Sequence, residues 1–434
     1  MAARLDRTFA SLRVRNYRNF FIGQIVSWTG TWVQWVAQGW LVLQITHSGF
    51  GLGLITALQW LPVLLFGAWA GVLADRFEKR KLLIFTNVAG GIFSLGLGIA
   101  TVTHVVNLGI VVVAALLLGV VTALDNPTRQ TFTMEMVGRD NLTNAVSLNT
   151  ATFTTARVLG PGAAGFLIAG VGIGPCFLVN AVSFLPIIAV LVFMNKDELT
   201  VAENVERKKG QVREGLRYAA SVPVLRTLLT MMAVVGTLQY NFQVILPVLA
   251  KETFSGDART LGLMGAVLGV GMFCGSIGTA AFGKSTRKTL IYSGFALGLV
   301  TLLVAVSPTV WIAAAVMIPL GAASMVFLTT INATLQLTSS DSMRGRVMAI
   351  YFVLFLGSTP IGAPIVGWVA ETFNARASLA LGGFATIGAC IYGYIRFVQI
   401  RRDDEASLAA IEGEEGHPRE PVVEREEIAA RPGW

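Results

Sequence analysis

The feature that most constrains this chain is a series of about twelve apolar stretches, each close to 20 residues long, separated by short polar connections. Windows of about 19 residues place them at 20–44, 51–74, 82–103, 107–127, 145–169, 173–194, 225–249, 260–283, 289–307, 309–331, 347–370 and 376–397. A helix of that length spans roughly 30 Å, the thickness of a bilayer's hydrocarbon core. Lipid offers no hydrogen bonds, so a backbone inside it must be helical or part of a closed barrel. Barrel strands alternate in polarity over about ten residues, whereas these runs are continuous. The expected fold is therefore an all-α membrane protein with twelve transmembrane helices. The chain is 54 % hydrophobic and 13 % charged, too little charge to cover a water-soluble protein of this length.

A net charge of +8 would suit nucleic acid, but its distribution does not. Lys and Arg gather in short clusters between apolar runs, as in cytoplasmic loops. One side holds Arg4 to Arg18, then Arg76 to Lys81, Arg129 and Arg139, the basic middle segment, Lys284 to Lys288, and Arg344 with Arg346. The opposite side has Lys251, Arg259 and Arg376. This asymmetry puts both termini in the cytoplasm and leaves nucleic acid out as a partner. The apolar run behind the basic N-terminus is too long for a cleavable signal peptide. Cys176, Cys274 and Cys390 lie far apart in apolar runs and read as buried hydrophobes. No cofactor or metal-ligand spacing is present. Gly278, Gly283, Lys284 and Ser285 match the Gly-x-x-x-x-Gly-Lys-Ser/Thr spacing, but they join two apolar spans and follow no strand, so the match does not point to transport driven by ATP on this chain.

The chain divides at its charged middle. The expected plan is a six-helix bundle at 1–194, a cytoplasmic loop at 195–222, a second six-helix bundle at 223–400 and a disordered cytoplasmic tail at 401–434. The halves look like repeats. Gly71 to Ile84 aligns without gaps on Gly278 to Ile291, both joining the second and third spans of their half. Likewise Leu159 to Gly165 resembles Ile361 to Gly367, both in the fifth span. Parallel six-helix repeats are a known ground plan for transporters.

The run Gly71, Leu73, Ala74, Asp75, Arg76, Lys79, Arg80, Lys81 resembles the loop signature between spans two and three of the major facilitator superfamily. Val137 to Leu142, with Ala145 and Ala156 to Pro161, looks like the branch that holds the enterobactin exporter and the macrolide efflux proteins, the third drug:proton antiporter family. The resemblance implies a bacterial inner-membrane protein, multi-pass and monomeric, that exports a bulky amphipathic, siderophore-like or drug-like molecule by alternating access, with protons as the coupling ion. Ala115 stands where related antiporters carry an Arg in the fourth span.

The resemblance also implies a conformational switch at Gly71, Asp75, Arg76, Arg80 and Arg129. Asp75 would face the N-terminus of the eleventh helix, where a carboxylate gains about 0.3–1 kcal/mol. The other reading is a solvated loop charge that sets topology. Asp125, with Arg129 one turn on, is the acidic candidate for protonation; an interfacial salt bridge is equally natural. Arg157 lies near the middle of the fifth span, where a charge must face protein or a wet cavity. It would attract an anionic substrate group or serve a structural pairing.

Gln24, Trp28, Thr31, Trp35 and Gln38 share one face of the first span. With Gln239, Tyr240, Asn241 and Gln243 of the seventh span and Met325, Thr329 and Asn332 of the tenth, they are the expected cavity lining. Amides and aromatics together suit amphipathic solutes better than small ions; helix packing is the alternative. Gly160, Pro161 and Gly165 mark a kink in the fifth span. The competing functions are a lipid flippase or importer on the same fold and a non-transporting membrane sensor. An enzyme would need His, Asp or Glu clustered at membrane depth, and the sequence offers none.

Overall fold

The computed structural model describes residues 10–200, 211–282 and 286–414, with a few side chains inside those ranges, Asp75 and Arg139 among them, outside the description. Among the described residues the chain is helical and has no strand. The first half comprises α1 (Arg15–Thr46), α2 (Gly49–Arg76), α3 (Lys79–Val102), α4 (Leu108–Gly138), α5 (139–171) and α6 (Ile173–Phe193). The second comprises α7 (Pro223–Thr253), α8 (Ala258–Phe282), α9 (Arg287–Val306), α10 (Val310–Thr338), α11 (Arg344–Thr372) and α12 (Ala375–Glu414). A short connecting helix, Gln211–Ser221, precedes α7.

Ten of these helices are long and apolar enough to cross a bilayer. The two outside that set, α1 and α5, are helical over their expected ranges but carry a heavier polar load, including Gln24, Gln34 and Gln38 on α1 and Arg157 on α5. Their crossing is therefore argued below from packing and not from composition.

Local chemistry sets the helix ends. Ser48, Asn107, Thr286 and Thr309 cap α2, α4, α9 and α10, each accepting a hydrogen bond from a backbone N–H three residues on. Gly138 divides the continuous run Leu108–Val171 with a φ of 71°, a conformation that Gly adopts at no steric cost. Two expected boundaries move. α4 runs on past 127 to Gly138, so Asp125 lies well inside a helix and not at its end. α12 continues to Glu414, so residues 401–414 are helix where a disordered tail was expected; residues 415–434 lie outside the description.

Polar ties hold each half together. Asn180 on α6 donates to Gln34 on α1 at 2.7 Å and to Ser94 on α3 at 3.3 Å. In the second half Gln239 on α7 donates to Thr301 on α9 at 2.7 Å. Thr301 stands at the same offset from Ser94 as Gly278 from Gly71, but its partner comes from α7, whereas that of Ser94 comes from α6.

The halves meet through small residues at the end of the bundle opposite the termini. Gly165 on α5 lies against Gly262 on α8, and Gly53 on α2 against the Ala363 carbonyl of α11. Small residues let helices approach closely where lipid supplies no hydrophobic drive. Toward the terminal end, α4 and α10 make no comparable approach among the described residues. The arrangement is closed at one end and parted at the other. A Cβ on Gly165 would stand 2.6 Å from the Gly262 Cα. Gly165→Val is expected to cost about 1–3 kcal/mol through overpacking, read as a lowered melting temperature in detergent. Gly170→Ala, with nothing within 4 Å of the added carbon, is the control that should leave it unchanged.

Candidate functional site

The first half presents an aromatic wall to the crevice. Trp32 on α1 meets Trp35 edge-on at 4.8 Å, and Trp35 meets Trp60 on α2 at 5.8 Å. Phe153 on α5 lies edge-on to Trp28 at 5.3 Å and to Trp32 at 5.8 Å. Arg157, one helical turn from Phe153, places its guanidinium 5.6 Å from the centre of the Trp32 ring. Cations over Trp faces gain from the ring's quadrupole. Arg157 is half-buried, and among the described residues it forms no salt bridge and no hydrogen bond. Its guanidinium lies near Tyr240, which belongs to the other half.

The opposing wall centres on a break in α7. The helix stops at Leu238 and resumes at Phe242, and Tyr240 projects from the gap. Its hydroxyl donates to the Ser324 carbonyl of α10 at 2.8 Å, and its ring lies edge-on to Phe355 of α11 at 5.5 Å. Arg157, Trp32 and Tyr240 therefore converge from α5, α1 and α7.

The remaining expected lining divides into two groups. Trp28, Thr31 and Trp35 stay half-buried, as do Met325, Thr329 and Asn332, while Gln243 is exposed. Gln38 donates to Gln59 of α2 at 3.2 Å and borders a small cavity with Trp35 and Gln243. By contrast Gln239 turns away to Thr301, Asn241 bonds back to the Thr237 carbonyl at 2.7 Å, and Gln24 is fully buried without a hydrogen-bond partner. Three of the six expected amides thus point into a bundle rather than the crevice. Helix periodicity assigned the face of α1, but the break in α7 rotates its residues out of register. Pro161 packs against Gly265 of α8, and Gly160 against Trp32, so the kink motif shapes both the aromatic wall and the junction of the halves.

Two of the charged residues expected to form a switch, Arg80 and Arg129, have other partners in this arrangement. Arg129 donates from Nε and Nη2 to one oxygen of Asp125, Oδ2, at 2.8 and 2.5 Å. Asp125 also accepts from Thr86 at 2.9 Å and Asn87 at 3.3 Å, tying α4 to α3. The Arg129 guanidinium lies over Phe20 and Trp28. Arg80 is buried and donates to the Leu191 and Val192 carbonyls, capping the end of α6. Arg76 is exposed at the end of α2. Gly71 is half-buried, and the Asp75 side chain lies outside the described residues. Arg80 and Arg129 are thus committed to α6 and Asp125 in this arrangement.

Comparison with known proteins fits this geometry. The family described as transmembrane secretion effector, a major facilitator family, matches residues 6–426. The chain belongs to that family. It is similar to a staphyloferrin A transporter of Staphylococcus aureus, 23 % identical over 87 % of this chain and 95 % of that one. An enterobactin exporter of Shigella flexneri is 25 % identical over 89 % and 92 % of the two chains. A multidrug efflux pump of Mycolicibacterium fortuitum is 25 % identical over 80 % and 88 %. Among solved structures, a nucleoside transporter superposes with a TM-score of 0.71 at 11 % identity, covering 88 % of this chain and all of its own. An inward-facing, unoccupied bacterial homologue of the lysosomal transporter Spinster gives 0.66 at 14 % identity, covering 88 % and 95 %. These two likenesses share the fold. As a major facilitator protein the chain is a multi-pass inner-membrane transporter of small molecules, not an enzyme.

For such a transporter the closed end of the crevice is the moving part, and two of its ties come from residues not singled out above. Glu371, at the end of α11, accepts from the Ser48 hydroxyl and from the Phe50 N–H at 2.9 Å, capping α2 across the halves. Lys251 on α7 donates to the Leu43 carbonyl of α1 at 3.1 Å. Both place a charge at the helix end whose dipole favours it. The sequence signal was present, since Lys251 and Glu371 are charges beside apolar spans, but their partners lie in the other half. Glu371 is exposed, so screening reduces its contribution to about 0.5–1 kcal/mol. Glu371→Gln is expected to shift the population about two- to fivefold toward an open outer end. Spin-label distances between the ends of α2 and α11 should lengthen; an unchanged distribution would remove Glu371 from the gate.

Proposed function

We propose that this transporter exports a bulky, amphipathic anion of siderophore-like or drug-like character, moving it by alternating access between two six-helix bundles. The observation that carries the reading is Arg157, a cation at mid-depth of a span, aimed into the crevice over Trp32 and unpaired among the described residues. An unpaired charge at that depth is costly. A substrate that brings the counter-charge removes the cost, and the Trp and Phe wall takes its apolar or aromatic part. The relatives named for siderophores and drugs support the same chemical range.

The wider reading follows. Twelve helices cross the membrane, α1 and α5 included, because both are packed between neighbours that do cross, through Asn180 and Gly262. Both termini and the basic loops face the cytoplasm, so the parted end opens inward, ready to load cargo for export. The two bundles are joined through a cytoplasmic segment at 195–222, and one chain suffices. Protons act as the coupling ion, with Asp125 as the carrier. Its release requires that the Arg129 pair open, which links protonation to movement of α4. Asp75 serves the opposite state, in which the cytoplasmic end closes.

Everted vesicles loaded by an imposed proton gradient test the substrate side. Arg157→Gln should reduce transport of an anionic amphipathic probe about ten- to a hundredfold, the scale of one hydrogen bond to a charge, and spare a neutral probe of the same shape. Equal loss for both probes would remove Arg157 from recognition. For coupling, Asp125→Asn should abolish gradient-driven accumulation while substrate exchange at equal pH persists. Gradient-driven accumulation that survives the substitution would exclude Asp125 as the carrier.

A further inference from the structure

We propose that the groove between the first turn of α9 and the terminal stretch of α12 binds the headgroup of an anionic glycerophospholipid. The groove holds about 390 Å³ and is lined by Lys288, Ile291, Tyr292, Tyr394, Val398, Arg401, Arg402 and Glu405. Arg401 is held by Glu405 at 2.6 Å, while Lys288 and Arg402 are exposed and unpaired among the described residues. Three cations face one carboxylate, so the groove favours an anion.

Its position distinguishes it from the substrate crevice. α9 packs on α10 and α12 within the second half and makes no close approach to the first half among the described residues. Beyond the groove, the same face exposes Tyr292, Leu299 and Leu303 on α9 and Phe384, Ile391 and Ile395 on α12. That apolar band begins at the groove with Tyr292 and runs about 16 Å along α9 to Leu303, half a bilayer's hydrocarbon thickness. A headgroup in the groove therefore has room for its acyl chains directly along the protein. Tyr292 and Tyr394 flank the junction, where phenols are favoured at a membrane interface.

The repeat supplies an internal comparison. In the first half, Arg80 closes the equivalent place by capping the end of α6, and Lys81 pairs with Glu78 at 2.7 Å. In the second half the aligned cations are Arg287 and Lys288. α12 does not end there but continues to Glu414, so its carbonyls are occupied by its own helix. Arg287 lies over Phe397 at 5.5 Å. The position aligned with Glu78 is Ser285, which leaves Lys288 without the carboxylate that Lys81 has. One half has filled its cationic corner with protein; the other has left it for a ligand. Cationic pockets between spans on the cytoplasmic side are suited to acidic headgroups.

The test uses full-length protein in detergent, titrated with phosphatidylglycerol, phosphatidylcholine or inorganic phosphate and followed by native mass spectrometry and melting temperature. Phosphatidylglycerol should be retained and should raise the melting temperature; phosphatidylcholine and phosphate should do neither. Lys288→Gln with Arg402→Gln should weaken phosphatidylglycerol binding about 25-fold, about fivefold for each cation at an acidic surface. Arg396→Gln, outside the groove, should leave it unchanged. If the double variant fails to purify, Arg402→Gln alone should give about a fivefold loss. Equal binding of phosphatidylcholine, full stabilisation by phosphate, or wild-type affinity in the cation variants would each overturn the proposal.

Discussion

Lipid solvates neither a charge nor an unpaired amide, and every polar side chain in this bundle is placed by that constraint. Three outcomes are visible. Some polar groups are consumed between helices of one half: Gln34 with Asn180, Gln239 with Thr301, Asp125 with Thr86 and Asn87. Some are consumed at helix ends, as Arg80, Lys251 and Glu371 are. Others stand at the crevice, where water and cargo replace lipid as solvent. Arg157 is the most costly of these and so the most informative.

The same constraint governs how the halves join. Inside a bilayer, apolar side chains gain nothing by leaving lipid for one another, so attraction between helices must come from close packing and polar contact. Gly165 against Gly262 and Gly53 against Ala363 supply the first, and the ties at Glu371 and Lys251 supply the second. These contacts lie at one end of the bundle. A junction built from small residues and a few exposed charges can separate at modest cost, as a rocking transporter requires. The ties inside each half are buried and bonded, so each half moves as a unit.

The all-α membrane fold was legible in the sequence because apolar spans depend on composition over long windows. The single helices α4 and α12 outran their windows because helix propensity does not stop where hydrophobicity does. At the site, the stripe of α1 was readable, since Trp28, Thr31 and Trp35 keep one face through an unbroken helix. The amides of α7 were not, because the break at Gln239 to Asn241 resets the helical phase. Pairing across long separations was also hidden. Arg80 could be recognised as buried only once α6 ended beside it, and Trp32 joined the site only when α5 brought Arg157 over its ring. The Asp125 and Arg129 pair was the exception, being local to one helix turn.

The two halves share a plan but divide their chemistry. The charge at the crevice, Arg157, comes from the first half, together with the Trp wall. The second half contributes a neutral face of Tyr240, Phe355, Met325 and Thr329. A substrate bound chiefly to one half keeps its main contacts while the other half rocks past it. The rotating face then needs only to exchange one neutral surface for another, with no charge left unpaired along the way. Tyr240 is suited to that boundary: its hydroxyl is already satisfied by Ser324 within its own half, so it can move away from Arg157 without orphaning a buried polar group. Dividing charged recognition from neutral closure keeps the barrier to alternating access low in a solvent that penalises every exposed charge.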